Sequence, residues 1–223
     1  MRANDAIGVV DYGMGNLRSV GKALESLGFP VAVTGDPSAL SACRGLVLPG
    51  VGAFRDCMEN LRRGGLVPFL SDWLASGKPF LGICLGLQLL FSESEEFGRH
   101  EGLGFLPGKV VRFPGDMTEP REGGGVRKLK IPHMGWNRVD TTVDHPVFRG
   151  IPSGSHFYFV HSYYVVPDDP AVTAARSSYG VDFTAAVASG NRMAVQFHPE
   201  KSQSAGLRLL ANFGKLSREA QTA

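Results

Sequence analysis

The feature that most constrains this chain is an apolar run, Phe80 to Phe91, broken in its middle by Gly82-Ile83-Cys84-Leu85-Gly86. Before the break the residues suit a buried strand, and after it the apolar spacing turns helical. A strand that turns sharply into a helix holds its central residue in a strained backbone geometry. Glycines two before and two after that residue let the turn pack tightly. The pattern predicts a nucleophile elbow with the Cys84 thiol presented rather than buried. It also places Cys84 at a helix N-terminus, where unpaired N–H groups and the macrodipole favour the thiolate. Free cysteine is among the most buried residue types, so the elbow alone leaves a second reading open, in which Cys84 is a small core residue.

A later segment, Arg192 to Ser202, bears on that choice. Met193 to Phe197 reads as a short buried strand whose end delivers His198, Pro199 and Glu200. Residues two apart on an extended chain point the same way, so His198 and Glu200 share a face, and Pro199 stiffens the link. This is the arrangement of a base with its orienting carboxylate. A lone histidine at a strand end is ordinarily a loop residue. Joined to an elbow cysteine, it completes a nucleophile, a proton acceptor and a group that fixes the imidazole tautomer. The candidate triad is Cys84, His198 and Glu200.

The first half of the chain alternates strand and helix. Ile7 to Val10, Val31 to Val33, Leu46 to Leu48 and Phe80 to Ile83 read as strands, with helical spacing over Leu17 to Leu27 and Leu61 to Ala75. Such intervals argue for βαβ units and a parallel sheet. In the second half, Val110 to Phe113, Asn137 to Val139, Phe157 to His161, Tyr163 to Val165, Ala185 to Ala188 and Met193 to Phe197 are short strands separated by turn residues, as in antiparallel hairpins. Leu207 to Leu216 reads as a closing helix, followed by a polar tail expected to fray. Pro114 to Gly125, with three consecutive glycines, is the expected mobile loop. The fold class is α/β, with a central, mostly parallel or mixed sheet flanked by helices and antiparallel strands in the C-terminal half.

Composition narrows the function classes. The chain has 223 residues, 43% of them hydrophobic, enough for a full core and most simply one domain over residues 1 to 223. The net charge of +2 comes with no basic block interleaved with aromatics, so no nucleic-acid footprint is expected. No apolar run approaches the roughly 18 residues of a membrane span, and the N-terminal stretch lacks a signal-peptide pattern. A cytoplasmic location is the default expectation. Cys43, Cys57 and Cys84 are odd in number with no C-x-x-C spacing, which suggests neither a disulfide framework nor a zinc site. Gly13-Met14-Gly15 follows a strand, but Arg18 stands where a dinucleotide fingerprint needs its third glycine. With no phosphate loop either, the expectation is no cofactor and no metal.

Pro49-Gly50-Val51-Gly52 has a better use than a turn. Thiolate attack on an amide carbon builds a tetrahedral oxyanion, and backbone N–H donors aimed at it stabilise the transition state. Glycines let a strand end turn its amides inward, so Gly52 is one candidate donor. The N–H of Leu85, just after the nucleophile, is the other. Gln88, one helical turn beyond Cys84, can project on the same side and is a candidate substrate contact, as is Gly50.

The elbow and the late His198-Pro199-Glu200 together resemble the class I, triad-type glutamine amidotransferases. Asp11 to Leu17, Pro49 to Phe54, Pro132-His133-Met134-Gly135-Trp136-Asn137 and His161-Ser162-Tyr163 are similar to the glutaminase subunits of imidazole glycerol phosphate synthase, over roughly residues 6 to 214. The resemblance implies a flavodoxin-like fold, glutamine hydrolysis through a Cys84 thioester, and delivery of ammonia to a (β/α)8-barrel cyclase in histidine biosynthesis. It also implies that Glu96 and the backbone of Ser162 and Tyr163 hold glutamine, that the loop carrying Asn16 faces the partner, and that the 49–52 strand undergoes a peptide flip involving Gly52. Met134, Trp136 and Lys201 are the candidate docking residues, although a Met and Trp pair is often core. A free-standing γ-glutamyl hydrolase, or another class I glutaminase subunit such as that of vitamin B6 synthesis, shares the triad. A degenerate subunit that only binds a partner is the non-enzymatic alternative.

Overall fold

The computed structural model describes residues 5–120 and 123–219. Its first half alternates as expected: β1 (Ile7–Val10), α1 (Leu17–Ser26), β2 (Val31–Thr34), α2 (Pro37–Ser41), β3 (Gly45–Gly50), α3 (Phe54–Arg63), α4 (Leu66–Ala75), β4 (Phe80–Cys84) and a single helical turn, α5 (Leu85–Gln88). Then follow β5 (Phe91–Ser94), β6 (His100–Glu101), β7 (Leu106–Arg112), β8 (Thr118–Pro120), β9 (Val126–Lys128), β10 (His133–Thr141), β11 (Ser155–His161), β12 (Tyr163–Pro167), β13 (Thr173–Ser178), β14 (Asp182–Ser189), β15 (Arg192–Val195) and α6 (Gln203–Glu219).

The main sheet runs β2-β1-β3-β4-β15-β14-β12-β7-β5-β6, with β10, β11 and β13 attached to one side of this path. Pairings among β2, β1, β3, β4 and β15 are parallel. From β15 onward β14, β12 and β7 pair antiparallel, and β5 returns parallel to β7. The central parallel strands β1, β3 and β4 are buried on both faces, which is why each reads as an unbroken apolar run, whereas the edge strand β2 is partly exposed. Period-two alternation sorts the side chains between two cores. Val9, Val47 and Leu81 pack with Val20, Leu24 and Phe213 of α1 and α6. Val10, Leu46, Leu48 and Phe80 pack with Phe54, Leu61 and Leu70 of α3 and α4 on the opposite face.

Several expectations are corrected. The helical stretch Leu61 to Ala75 is two helices, because the chain breaks at Gly64-Gly65 and Gly65 adopts φ +65°, a left-handed conformation that glycine takes without strain. The short strands β5, β6 and β13 lie outside the segments read as strands. Part of the expected loop, Pro114 to Gly125, forms a ribbon, with β8 paired antiparallel to β9; its residues 121 and 122 and the tail after residue 219 lie outside the described residues. Among the described residues no helix is long and apolar enough to cross a membrane.

Candidate active site

The elbow forms at the C-terminal end of β4. Cys84 sits at φ 56° and ψ −109°, a conformation that a non-glycine residue holds only at a cost of about 1–3 kcal/mol. The flanking glycines are required by close packing. A Cβ on Gly86 would lie 1.9 Å from the Leu48 carbonyl oxygen, and one on Gly82 would lie 2.8 Å from both Ala194 Cβ and the Gly86 oxygen. Gly50 pairs with Cys84 across β3 and β4, and Val195 pairs with Ile83 across β15 and β4. Nucleophile, candidate oxyanion strand and candidate base therefore emerge together at the carboxyl edge of neighbouring parallel strands, where open α/β sheets bind ligands.

Past β15 the chain continues through Gln196 and Phe197 to His198 and then a short turn at Pro199–Lys201. The backbone of His198 is pinned on both sides: its N–H donates to Tyr158 O at 2.9 Å, and its carbonyl accepts from Ser202 Oγ at 2.6 Å. His198 Nδ1 lies 2.9 Å from Glu200 Oε1. Nδ1 carries the proton in that contact, since an ionised carboxylate only accepts, and this leaves Nε2 for the nucleophile. Nε2 is buried without a conventional hydrogen bond and belongs to the same cavity wall as Cys84. Burial pulls the ring towards its neutral form, but its interactions with Cys84 and Glu200 outweigh that and push its pKa up to about 10. The imidazole is therefore held protonated at neutral pH.

A cavity of about 320 Å³ joins these groups, lined by Val51, Gly52, Leu85, Gln88, Glu96 and Tyr163 beside Cys84 and His198. Ser162 and His161 also face it. Glu96 accepts from the Phe54 N–H at 2.6 Å and so caps α3, whose N-cap residue, Ala53, offers no side-chain bond. Gln88 is buried and donates to Tyr163 O and to Gln196 Oε1, both at 3.1 Å. Gly50 lies outside the cavity lining; a Cβ there would meet Leu85 Cβ at 2.8 Å and Tyr12 Oη at 2.9 Å, so this glycine lets β3 approach the elbow. In the 49–52 strand, Tyr12 Oη donates to Pro49 O at 2.9 Å, the Cys57 thiol lies 3.6 Å from Val51 O, and Gly52 has φ +95°.

Cys84 itself is 7% exposed, so the thiol opens into the cavity rather than onto the surface. The helix that follows spans only Leu85–Gln88, too short for a macrodipole to supply the stabilisation expected of it. A local donor stands in its place: Gln196 Nε2 lies 3.8 Å from the sulfur. Gln196 is fully buried; it belongs to no recognisable motif, although it sits two residues before His198 and so shares its face by the same alternation. Asn16, expected at the partner face, donates to Glu200 Oε1 at 3.3 Å. Met134 and Trp136 are 62% and 46% exposed, which removes the core reading for them. Trp136 stacks edge-on against Tyr158 at 6.2 Å, and Lys201 Nζ lies 5.7 Å from the centre of the same ring.

The model of the class-I glutamine amidotransferase family matches residues 8–216, and the chain belongs to that family. Among its relatives, the imidazole glycerol phosphate synthase subunit HisH of Syntrophotalea carbinolica is 59% identical over 93% of this chain and 98% of that protein. The HisH subunit of Moorella thermoacetica is 51% identical over 97% and 98%. A solved glutamine amidotransferase superposes with TM-score 0.70 at 21% identity, covering 96% of this chain and 99% of that one. The PurLQS structure from Thermotoga maritima also gives 0.70, at 18% identity, covering 97% and 98%. At such identities these two structures speak for the fold alone.

Proposed function

We propose that this chain is the glutaminase subunit of imidazole glycerol phosphate synthase, a single amidotransferase domain over residues 1–223 working in the cytoplasm without cofactor or metal. The observation that carries the reading is one cavity holding a cysteine at positive φ, a histidine whose free nitrogen faces it, and a carboxylate fixing that histidine's tautomer. The names of the HisH relatives support the assignment to histidine biosynthesis.

The chemistry divides into two halves. The Cys84 thiolate attacks the side-chain amide carbon of glutamine, and backbone N–H groups of Leu85 and the Gly52 strand receive the oxyanion. Imidazolium His198 gives its proton to the leaving nitrogen, ammonia departs, and a glutamyl thioester remains. Neutral His198 then takes a proton from water, the resulting hydroxide attacks the thioester carbonyl, and the carbon–sulfur bond breaks to release glutamate and restore the thiolate–imidazolium pair. Glu200 holds the ring and balances its charge. Gln88, Glu96 and the backbone of Ser162 and Tyr163 embrace the amino-acid end of glutamine.

Ammonia requires an acceptor site. By family resemblance a (β/α)8-barrel cyclase subunit supplies it in a heterodimer, docking on Met134, Trp136, Lys201 and the loop of Asn16. The test is glutamate release by the chain alone, then with a histidine-pathway cyclase, then with the acceptor nucleotide added. A weak basal rate that rises steeply in the full mixture is expected. Vigorous hydrolysis indifferent to the cyclase would instead mark a free-standing glutaminase or γ-glutamyl hydrolase.

A further inference from the structure

Behind the glutamine cavity lies a second one of about 750 Å³ on the side of the exposed Trp136, and the wall between them contains two buried histidines. His161 faces the first cavity and His133 the second, and His133 Nδ1 lies 2.9 Å from His161 Nε2. Aromatic rings enclose the pair: His133 stacks on Tyr179 at 4.1 Å and on Phe159 at 4.9 Å, and Phe113 stands 5.1 Å from His161.

The direction of every bond in this wall follows from its ends. Asn137 accepts from the Arg138 N–H at 2.7 Å through Oδ1 and donates to Ser178 O at 2.8 Å through Nδ2, so its amide orientation is determined twice. Its second Nδ2 hydrogen faces His133 Nε2 at 3.2 Å, which must accept. At the other end, His161 Nδ1 lies 2.8 Å from Tyr163 O, a pure acceptor, so Nδ1 carries the proton and Nε2 of that ring accepts. His133 Nδ1 must then be the donor between the rings. Tyr163 O receives a second bond from Gln88 Nε2, Gln88 also donates to Gln196 Oε1, and Gln196 donates to the Cys84 sulfur. A continuous row of hydrogen bonds thus links the outer groove at Asn137 to the nucleophile, its direction turning at Tyr163 O, where His161 and Gln88 both donate.

We propose that His133 and His161 are positioning residues for glutamine: locked as neutral Nδ1–H tautomers, they set the Tyr163 carbonyl and through it the Gln88 amide in the substrate cavity. The proposal rests on the glutaminase reading. A histidine that only filled space would need neither a defined tautomer nor a bond to the cavity wall, whereas each ring here uses both nitrogens.

The test is kinetic and spectroscopic. His133→Phe suits the aromatic cage but removes the donor to His161, and in the complex with the cyclase it raises KM for glutamine about tenfold, the loss of one such bond, with kcat within about twofold. His133→Asn replaces Nδ1–H with an amide donor and recovers most of the KM. An unchanged KM in the Phe variant, or an Asn variant no better than Phe, would overturn the proposal. On the wild-type chain, ring nitrogen NMR at neutral pH shows His161 protonated at Nδ1 and bare at Nε2; a proton on Nε2 also overturns it, including when the variants fail to fold. If the chain and its partner release no glutamate, the glutaminase reading falls, and the ring spectra still decide the row of bonds.

Discussion

Asn16 stands at the N-cap of α1, yet its side chain makes no capping bond and donates instead to Glu200, 184 residues further along the chain. Asparagine is among the best capping residues, so the amide has been diverted from helix stability to the carboxylate that orients His198. Asn16→Ala is expected to leave thermal stability within about 0.5 kcal/mol, since no cap is lost. It should lower kcat/KM for glutamine about five- to tenfold, the worth of one bond to a charged group at long range. Asp36 is the control. Its Oδ1 caps α2 by accepting from the Ser38 N–H at 2.9 Å, and Asp36→Ala should lose about 1 kcal/mol of stability with kinetics unaltered. Equal stability losses in the two variants would remove the distinction.

The elbow tests packing rather than polarity. A methyl at Gly86 meets a backbone carbonyl of the neighbouring strand at 1.9 Å, and neither partner is a side chain free to swing away. Gly86→Ala is expected to destabilise the protein by at least about 2 kcal/mol, towards the upper part of the overpacking range. Urea unfolding reads this directly, and a midpoint unchanged from wild type contradicts the tight turn.

The two wall histidines also enter stability. Burial lowers the pKa of His133 to about 4 and, together with other contributions, that of His161 to about 3, from an ordinary 6.5. The unfolded chain therefore binds more protons than the folded one below pH 6.5. The stabilisation is complete above that value and is lost as pH falls towards 4. For His133 alone the loss between pH 7 and 5 is about 2 kcal/mol. His133→Phe should accordingly show a shallower decline of unfolding free energy over that window; parallel declines would mean that the ring titrates normally in the folded state.

Much of the site was legible because it follows short-range rules. The elbow glycines and the His198-Pro199-Glu200 spacing are local, and their geometry depends on neighbours within a few residues. His133 and His161 meet because β10 and β11 pair in a register that sets them opposite each other, and no spacing along the chain reveals a register between strands. Asn16 reaches Glu200 only because α1 and the turn after β15 meet in space, and from the sequence Asn16 is placed only by resemblance, on a loop at the partner face. In the fold, the alternating first half was readable from apolar periodicity. The strand β5, Phe-Ser-Glu-Ser, carries too little apolar pattern to be read, and the length of α5 is set by packing against β3 and β4 rather than by propensity.

The pH dependence of catalysis isolates the triad. Burial alone would leave His198 neutral, but Cys84 and Glu200 raise its pKa to about 10, so the imidazolium that must protonate the leaving nitrogen is present below pH 10 and lost above it. kcat/KM reports ionisations of the free enzyme, so the profile for glutamine hydrolysis in the complex should carry no inflection between pH 6 and 8 from this group. An inflection near 6.5 would show a histidine uncoupled from its partners.

Trp136 and Tyr158 make the last case, since their edge-on contact lies on the surface beside Lys201. A half-exposed indole contributes little to the fold, so Trp136→Ala is expected to shift stability by less than about 1 kcal/mol. As an aromatic anchor with an adjacent cation it has the composition of an interface hot spot, where truncation costs about 2 kcal/mol or more, a loss of roughly thirtyfold in affinity for the cyclase. Titrating the cyclase into wild type and variant while following glutamate release separates the two effects. If binding and stimulation both persist unchanged, the docking face lies elsewhere. If binding weakens while the unstimulated rate stays at the wild-type level, Trp136 acts at the joint and not on the triad.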